Sequence, residues 1–225
     1  MADRLRVAVE FGPKGKKVVA VAPDWPGLTR GSTDEAGALE HLAAYIPRYA
    51  SVAALAGLES EFAGISRLEV VERYTGTGST DFWGISFGNS SFDLQPMSSA
   101  ELERELALLR ACWSFFDDVR SRVSAELRKG PRGGGRDRDQ IVRHVLASEL
   151  DWSKRVGVRT PLEEMQTYEG LQAHRADYCE ALRAFHAEGR QTRARTLRFV
   201  IRFTAYHTLD HAWEMEDKDL TGMPA

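Results

Sequence analysis

The sequence has little cysteine, no long apolar run and no large excess of either charge. Its 225 residues include only two cysteines, Cys112 and Cys179, each within a helical pattern. Two reduced, buried thiols are therefore favoured over a disulfide or a CxxC redox pair. No apolar stretch approaches the roughly 20 residues that span a bilayer, and the N-terminus reaches charged residues without a signal-like segment. We expect a cytoplasmic protein without a membrane partner.

The charge balance also disfavours a general attraction to polyanions. The formal net charge is -3 and the pI is near 6.1, so binding of nucleic acid would have to depend on a local patch, and we disfavour it. The hydrophobic share of 43% and the charged share of 28% are ordinary for a globular protein. A chain of this length can form one large domain or two modest ones.

The first third of the chain predicts strands around one helix. Residues 5–11 alternate β-prone apolar and polar side chains, Gly12, Pro13 and Gly15 indicate a turn, and residues 17–22 form a second apolar run. This pattern predicts a β-hairpin. Residues 67–73 are again strand-like.

A capping box predicts where the first helix begins. Ser32 stands three residues before Glu35, a spacing typical of a helix N-terminus, and the helix is expected over residues 33–49. Together with the strands it gives a β-β-α-β order.

This first part resembles the HicB-like family, whose members have a strand, an Asp-x-Pro-Gly turn, a Gly-x-Thr or Gly-x-Ser step and a helix rich in Glu and Ala. The residues that carry the resemblance are Asp24, Pro26, Gly27, Gly31, Thr33, Glu35 and Ala36. It implies a HicB-like α+β domain over residues 1–75 with an antitoxin-like or protein-docking role, and hence a protein partner.

Residues 76–96 are too aromatic for a plain flexible linker. Glycine, serine, threonine and asparagine alternate there with Phe82, Trp83, Phe87 and Phe92. We expect an ordered crossover whose aromatic side chains pack between two domains, and a ligand pocket is the alternative.

The remaining residues, 97–225, predict an all-α domain of four helices. The helices are expected over residues 98–128, 137–156, 161–188 and 194–217. Three of them have capping-box spacing at the start, namely Ser98 with Glu101, Asp137 with Gln140, and Thr160 with Glu163 behind Pro161. Four amphipathic helices of this length can close one bundle core.

The last of these helices contains two histidines one turn apart. His207 and His211 are four residues apart, so both imidazoles can point to one position beside the helix. The apolar periodicity puts both in the buried stripe. Arg195, Arg198 and Arg202 fall on the opposite face, where we expect solvated side chains.

A third histidine lies on the predicted second helix, in a His-x4-Glu-x2-Trp setting. With His144 there and the His-x3-His pair at His207 and His211, residues 97–219 resemble the DinB/YfiT-like superfamily of four-helix metal-binding proteins. The resemblance implies one divalent ion, zinc or nickel, held by these three residues. The family has a Gln-containing step after its last histidine, where this chain has Ala212, Trp213 and Glu214.

Several other residues are candidates for supporting roles. Glu149, Asp210 and Glu214 are candidate acids that orient the imidazoles, with solvated surface acids as the alternative. His41, His174 and His186 lack comparable spacing and are interpreted as ordinary helix residues.

The glycine-rich segment over residues 129–138 lacks the Lys-Ser/Thr ending of a phosphate-binding loop. We favour a helix connection. The alternative is a basic mouth in which Arg132 and Arg136 bind an anionic cofactor.

Two classes of function stay open. The DinB/YfiT-like resemblance implies a metal-dependent transferase that uses a low-molecular-weight thiol, such as mycothiol or bacillithiol, or a hydrolase, acting on a small molecule. The alternative is a non-catalytic regulator or docking protein with a structural or vestigial metal. The sequence leaves open whether the chain is an enzyme and whether it forms a homodimer.

Overall fold

The fold is α+β, with a four-stranded mixed sheet followed by helices. The computed structural model describes residues 3–130, 134–190, 192 and 195–222. The chain divides into two compact units. One contains the chain up to Cys112 together with Arg198–Tyr206, and the other contains Trp113–Leu197 and the chain from His207 onward. The domain boundaries expected at residues 75 and 97 stay a prediction.

The sheet has the order β3-β2-β1-β4. Its strands are β1 (Arg4–Phe11), β2 (Val18–Val21), β3 (Thr29–Ser32) and β4 (Arg67–Thr75). The pairs β1–β2 and β2–β3 are antiparallel, and β4 runs parallel to β1. The predicted hairpin is thus confirmed. Strand β3 was not predicted, because its Thr-Arg-Gly-Ser sequence has no apolar alternation and it is extended by pairing with β2.

Helix α1 (Glu35–Leu55) packs against β2 and β3. It begins two residues later than predicted because the cap is Asp34, not Ser32. The Asp34 carboxylate accepts a hydrogen bond from the Gly37 amide at 2.8 Å. Leu42, Tyr49 and Val52 are buried on the inner side of this helix. The short helix α2 (Glu59–Phe62) precedes β4.

The crossover after β4 is ordered around a buried carboxylate. It contains helices α3 (Gly78–Trp83) and α4 (Ser91–Leu94). Glu10 of β1 is fully buried and accepts hydrogen bonds from the Ser86 hydroxyl at 2.6 Å, the Tyr74 hydroxyl at 2.9 Å and the Gly88 amide at 2.9 Å. These bonds satisfy a charge that would otherwise be costly to bury, and they fix the crossover to β1.

The aromatic residues of the crossover do not share one environment. Phe87 packs against Phe203, with 4.8 Å between ring centroids, inside the first compact unit. Phe82 and Trp83 are instead 73% and 67% exposed. The expectation that all the crossover aromatics are buried between two domains is therefore wrong for this pair.

The four long helices after the crossover are confirmed, although their bounds differ from the prediction. They are α5 (Ser99–Arg122), α6 (Arg138–Ser153), α7 (Tyr168–Ala187) and α8 (Leu197–Lys218). Helix α5 ends six residues earlier than expected, because the Asp219 carboxylate accepts the Ser124 amide at 2.8 Å and turns the chain. The capping boxes of Ser98 with Glu101 and of Asp137 with Gln140 are both present.

The third predicted capping box is wrong. The Thr160 hydroxyl lies 2.8 Å from Nδ1 of His174, and Thr167 instead caps α7 by accepting the Gly170 amide at 3.1 Å. The intervening residues form turns and a short 3-10 helix, Glu164–Gln166, which buries Met165 completely. Burial of that side chain, a nonlocal effect, outweighs the local capping signal.

The expectation that one face of α8 is solvated is also wrong. Arg202 is only 4% exposed and pairs with Asp93, and Arg198 pairs with the buried Glu105. Ile201 and Ala205 on this part of the helix are fully buried as well. A helix buried on most sides can include arginines when acids of its surroundings neutralise them.

Both cysteines are free thiols and buried, as predicted. Burial raises the pKa of the Cys112 thiol well above its ordinary value. Within the described part of the chain, no helix combines the length and the apolar character needed to cross a bilayer.

Candidate metal centre

Helices α6 and α8 bring three imidazoles together. His144 comes from α6, and His207 and His211 come from successive turns of α8. One ring nitrogen of each histidine lies within 4.8 Å of the others. The ring centroids are 4.9 Å apart for His144 and His207, 4.9 Å for His144 and His211, and 4.6 Å for His207 and His211. The structure thus brings together the three residues that the sequence predicted as ligands.

The spacing of two of these nitrogens fits a shared metal ion. Nε2 of His144 and Nε2 of His207 are 3.1 Å apart. Two nitrogens on one tetrahedral zinc ion, each at roughly 2.0–2.1 Å from it, are roughly 3.3–3.4 Å apart. The His144 and His207 rings therefore need only a small adjustment to bind the same ion.

Burial keeps the imidazoles of His144 and His207 in the neutral form that binds metals. Burial, together with the neighbouring His211, His144 and Arg136, lowers the pKa of His207 to about 3. Burial and the charge of Arg136 also lower the pKa of His144. A neutral imidazole offers a nitrogen lone pair at neutral pH, so no proton has to be displaced from these two rings before a cation binds.

Glu214 fixes the third imidazole. Its Oε2 atom lies 2.7 Å from Nδ1 of His211, and its Oε1 atom accepts a hydrogen bond from the Lys218 ammonium group at 2.5 Å. These contacts hold the pKa of Glu214 down, at about 2, with the hydrogen bond from His211 as the largest cause. If Nδ1 donates its proton to this carboxylate, Nε2 is left as the metal-binding atom, which is the arrangement found beside many metal-bound histidines.

Among the three predicted supporting acids, Glu214 contacts an imidazole of the cluster. Glu149 is bound by Arg175, whose Nε donates at 3.0 Å, and belongs to a separate buried cluster. The hypothesis that Glu149 orients a metal-binding imidazole therefore needs correction. Asp210 lies on α8 between the two ligand turns and is half-buried, and its role stays a prediction.

Of the two arginines proposed to bind an anionic cofactor, Arg136 lies within the described residues. Arg136 is exposed, and its charge lowers the pKa of both His144 and His207, so its guanidinium group acts on the histidine cluster. Arg132 lies outside the described residues. The glycine-rich segment joins two helices, as favoured from the sequence.

No protein-family model, curated protein or solved structure gives a significant match to this chain. The resemblances to the HicB-like and DinB/YfiT-like families therefore stay predictions.

A second cluster of charged residues was missed by sequence reasoning. His174, which was interpreted as an ordinary helix residue, is 1% exposed and its Nε2 lies 3.9 Å from the Glu149 carboxylate. Arg175 links that carboxylate to Asp117, to which it donates at 2.7 Å. No spacing in the sequence predicts this cluster, because its members come from three different helices. The contact of Lys218 with Glu214, in contrast, follows the i, i+4 rule and could have been predicted.

Proposed function

We propose that this protein binds one divalent metal ion, zinc or nickel, through His144, His207 and His211, and that it is a metal-dependent enzyme acting on a small molecule. The observation that carries the proposal is the convergence of three imidazoles, one of which is fixed by an ionised carboxylate. Neutral imidazoles with a carboxylate partner form an established ligand set for zinc. The cytoplasm stays the expected compartment.

Three protein ligands leave one tetrahedral position for water or for a substrate atom, which is the usual arrangement of catalytic zinc. The ion would supply Lewis acidity, lowering the pKa of a bound water or binding a thiolate. Hydrolysis and thiol transfer, the reactions of the DinB/YfiT-like type, both fit this chemistry. Glu214 would hold His211 in orientation, and Arg136 would favour substrates of negative charge.

Metal binding is tested on protein purified without an affinity tag. Elemental analysis is expected to find about one zinc or nickel ion per chain. Calorimetric titration of metal-stripped protein should give one site that is lost in His207→Ala and in His211→Ala. The matched control is His41→Ala, which removes an exposed imidazole outside the cluster. Protein that is metal-free and takes up neither ion, or equal loss of binding in the control, would overturn the proposal.

Catalysis is tested separately on metal-loaded protein. Ester hydrolysis and transfer of a low-molecular-weight thiol to an electrophile are followed in parallel, with His207→Ala as the metal-free comparison. Turnover that depends on the metal supports the enzyme. One bound metal without either turnover would instead favour the regulator or docking alternative.

A further inference from the structure

Two large aromatic side chains project together from the end of α3. Phe82 and Trp83 are 73% and 67% exposed, and their ring centroids are 4.5 Å apart. The other exposed large apolar side chains of the described residues are not adjacent to one another in the sequence. The pair plays no part in the metal centre. An exposed apolar cluster of this kind indicates a surface that binds a protein, a membrane or a ligand.

Three lysines lie in the turn between β1 and β2. The whole chain has six lysines, and Lys14, Lys16 and Lys17 are three of them. Lys14 and Lys16 are exposed. The turn that displays them is closed by hydrogen bonds from the Gly12 amide to the Lys17 carbonyl at 2.9 Å and from the Gly15 amide to the Gly12 carbonyl at 2.8 Å. Positive charge is therefore concentrated at one tight turn, and the Asp81 carboxylate bound there offsets part of it.

Asp81 joins the lysine turn to the aromatic pair. It immediately precedes Phe82, and its carboxylate accepts the Lys14 amide at 2.6 Å and the Lys16 amide at 2.8 Å. The approach is so close that a Cβ atom at Gly12 would lie 2.0 Å from Oδ1 of Asp81. Backbone amides thus bind the acid at this junction, while the side chains of Lys14 and Lys16 are exposed to solvent.

We propose that this aromatic–lysine patch, formed by Lys14, Lys16, Phe82 and Trp83 with the half-buried Lys17 beside them, docks the protein on an anionic lipid bilayer, a partner that the composition of the chain did not lead us to expect. Tryptophan and phenylalanine are favoured at the boundary between headgroups and acyl chains. Each lysine near an anionic bilayer surface adds an attraction that is screened by salt. Stable peripheral binding generally needs two such signals on one surface, and the patch combines an apolar one with a basic one.

Single-stranded nucleic acid fits the patch less well. Its binding sites combine a charged groove that follows several phosphates with rings on which successive bases stack. Here the lysines are concentrated in one turn, and the two rings meet edge to face at an interplanar angle of 79°. This arrangement of charge and rings fits a compact contact with a membrane surface better than it fits an extended nucleic-acid strand.

Tryptophan fluorescence makes the proposal testable at a single residue. The chain has five tryptophans, and the other four, Trp25, Trp113, Trp152 and Trp213, are at most 7% exposed. A blue shift of the emission on adding vesicles of phosphatidylcholine with phosphatidylglycerol is expected to come from Trp83. The shift should be absent in Trp83→Phe, although this variant still sediments with the vesicles, and vesicles of phosphatidylcholine alone should bind weakly.

Two double variants separate the contribution of the lysines from that of the aromatic residues. Lys14→Ser with Lys16→Ser is expected to weaken vesicle binding about 30-fold at low salt, from roughly a fivefold attraction per lysine. Phe82→Ser with Trp83→Ser should abolish the binding. The matched controls are Lys154→Ser and Tyr168→Ser, which remove an exposed lysine and an exposed aromatic residue elsewhere. His207→Ala should bind vesicles normally, so this outcome is independent of the metal centre.

The proposal is overturned if anionic vesicles fail to bind the protein at low salt, or if the control variants lose binding as much as the patch variants. It is also overturned if a single-stranded oligonucleotide binds through these residues while vesicles do not. The side chains substituted in the patch and its controls are exposed, so these variants should fold. Circular dichroism and metal uptake of each variant establish that they do.

Discussion

Arg202 of α8 and Asp93 of α4 form a buried ion pair with two hydrogen bonds. Nε of Arg202 lies 3.0 Å from Oδ1 of Asp93, and Nη2 lies 3.0 Å from Oδ2. The same guanidinium group donates to the Ser86 hydroxyl at 2.9 Å and to the Gly88 carbonyl at 3.1 Å. Because Ser86 also donates to Glu10, the pair is part of one buried network that holds the crossover in place.

We expect Arg202→Met to lower the free energy of unfolding by about 3–5 kcal/mol, because it leaves the Asp93 carboxylate buried without its cation. Urea denaturation followed by circular dichroism measures the effect. The control Arg190→Met breaks an exposed pair with Glu188 and should change stability by less than about 1 kcal/mol. Combining Arg202→Met with Asp93→Leu should restore part of the loss. Equal effects of the two arginine variants would contradict the prediction.

Glu214→Ala is expected to weaken zinc binding about 10- to 100-fold, because the carboxylate fixes the orientation of His211. Competition with a chromophoric chelator measures the dissociation constant. Glu214→Gln keeps a hydrogen-bond acceptor for Nδ1 and should restore part of the affinity. On the same helix, Glu216→Gln breaks a pair with Arg122 and serves as the control. If Glu216→Gln weakens binding as much as Glu214→Ala, a specific positioning role is ruled out.

Zinc is expected to stabilise the folded chain through the three histidines. At a free concentration of 100 times the dissociation constant, the free energy of unfolding should rise by about 2.7 kcal/mol, since the folded state binds the ion and the unfolded chain lacks the assembled site. Thermal denaturation with and without zinc measures the gain, and a chelator should reverse it. His144→Ala should show no gain, while a gain of the same size in that variant would exclude His144 as a ligand.

His174 should make the stability of the protein fall as the pH decreases from about 6.5 to about 4, and the lowered pKa values of His144 and His207 act in the same direction. Burial, with a smaller effect of Arg175, lowers the pKa of this imidazole from 6.5 to about 4. Between these values the unfolded chain binds a proton that the folded protein does not bind. The free energy of unfolding therefore decreases by up to about 1.4 kcal/mol per pH unit across this window, and the full contribution is present above it.

Urea denaturation at several pH values checks this slope in the wild type and in His174→Gln, which should be less dependent on pH. His41→Gln alters an exposed histidine and should retain the wild-type slope. An unchanged slope in His174→Gln would show that other groups cause the acid sensitivity.

The local elements were predictable where the signal lies within a few residues. The hairpin followed from alternation around Gly12 and Gly15, and two capping boxes followed from a three-residue spacing. The face shared by His207 and His211 followed from the helical period, and it is preserved in the structure. His144 was identified through a family resemblance, and its position beside the pair is a property of the packing of α6 on α8.

The sequence by itself determined the β-hairpin, the four long helices and the helix face shared by His207 and His211. Only the tertiary structure decided that Arg202 is buried, that Thr160 contacts His174 rather than capping a helix, and that Glu149 pairs with Arg175. The physical reason is how far apart the interacting residues lie along the chain. Capping and periodicity act between residues three or four positions apart, whereas these partners are 14 to 109 positions apart. Which of them meet is fixed only when the helices pack.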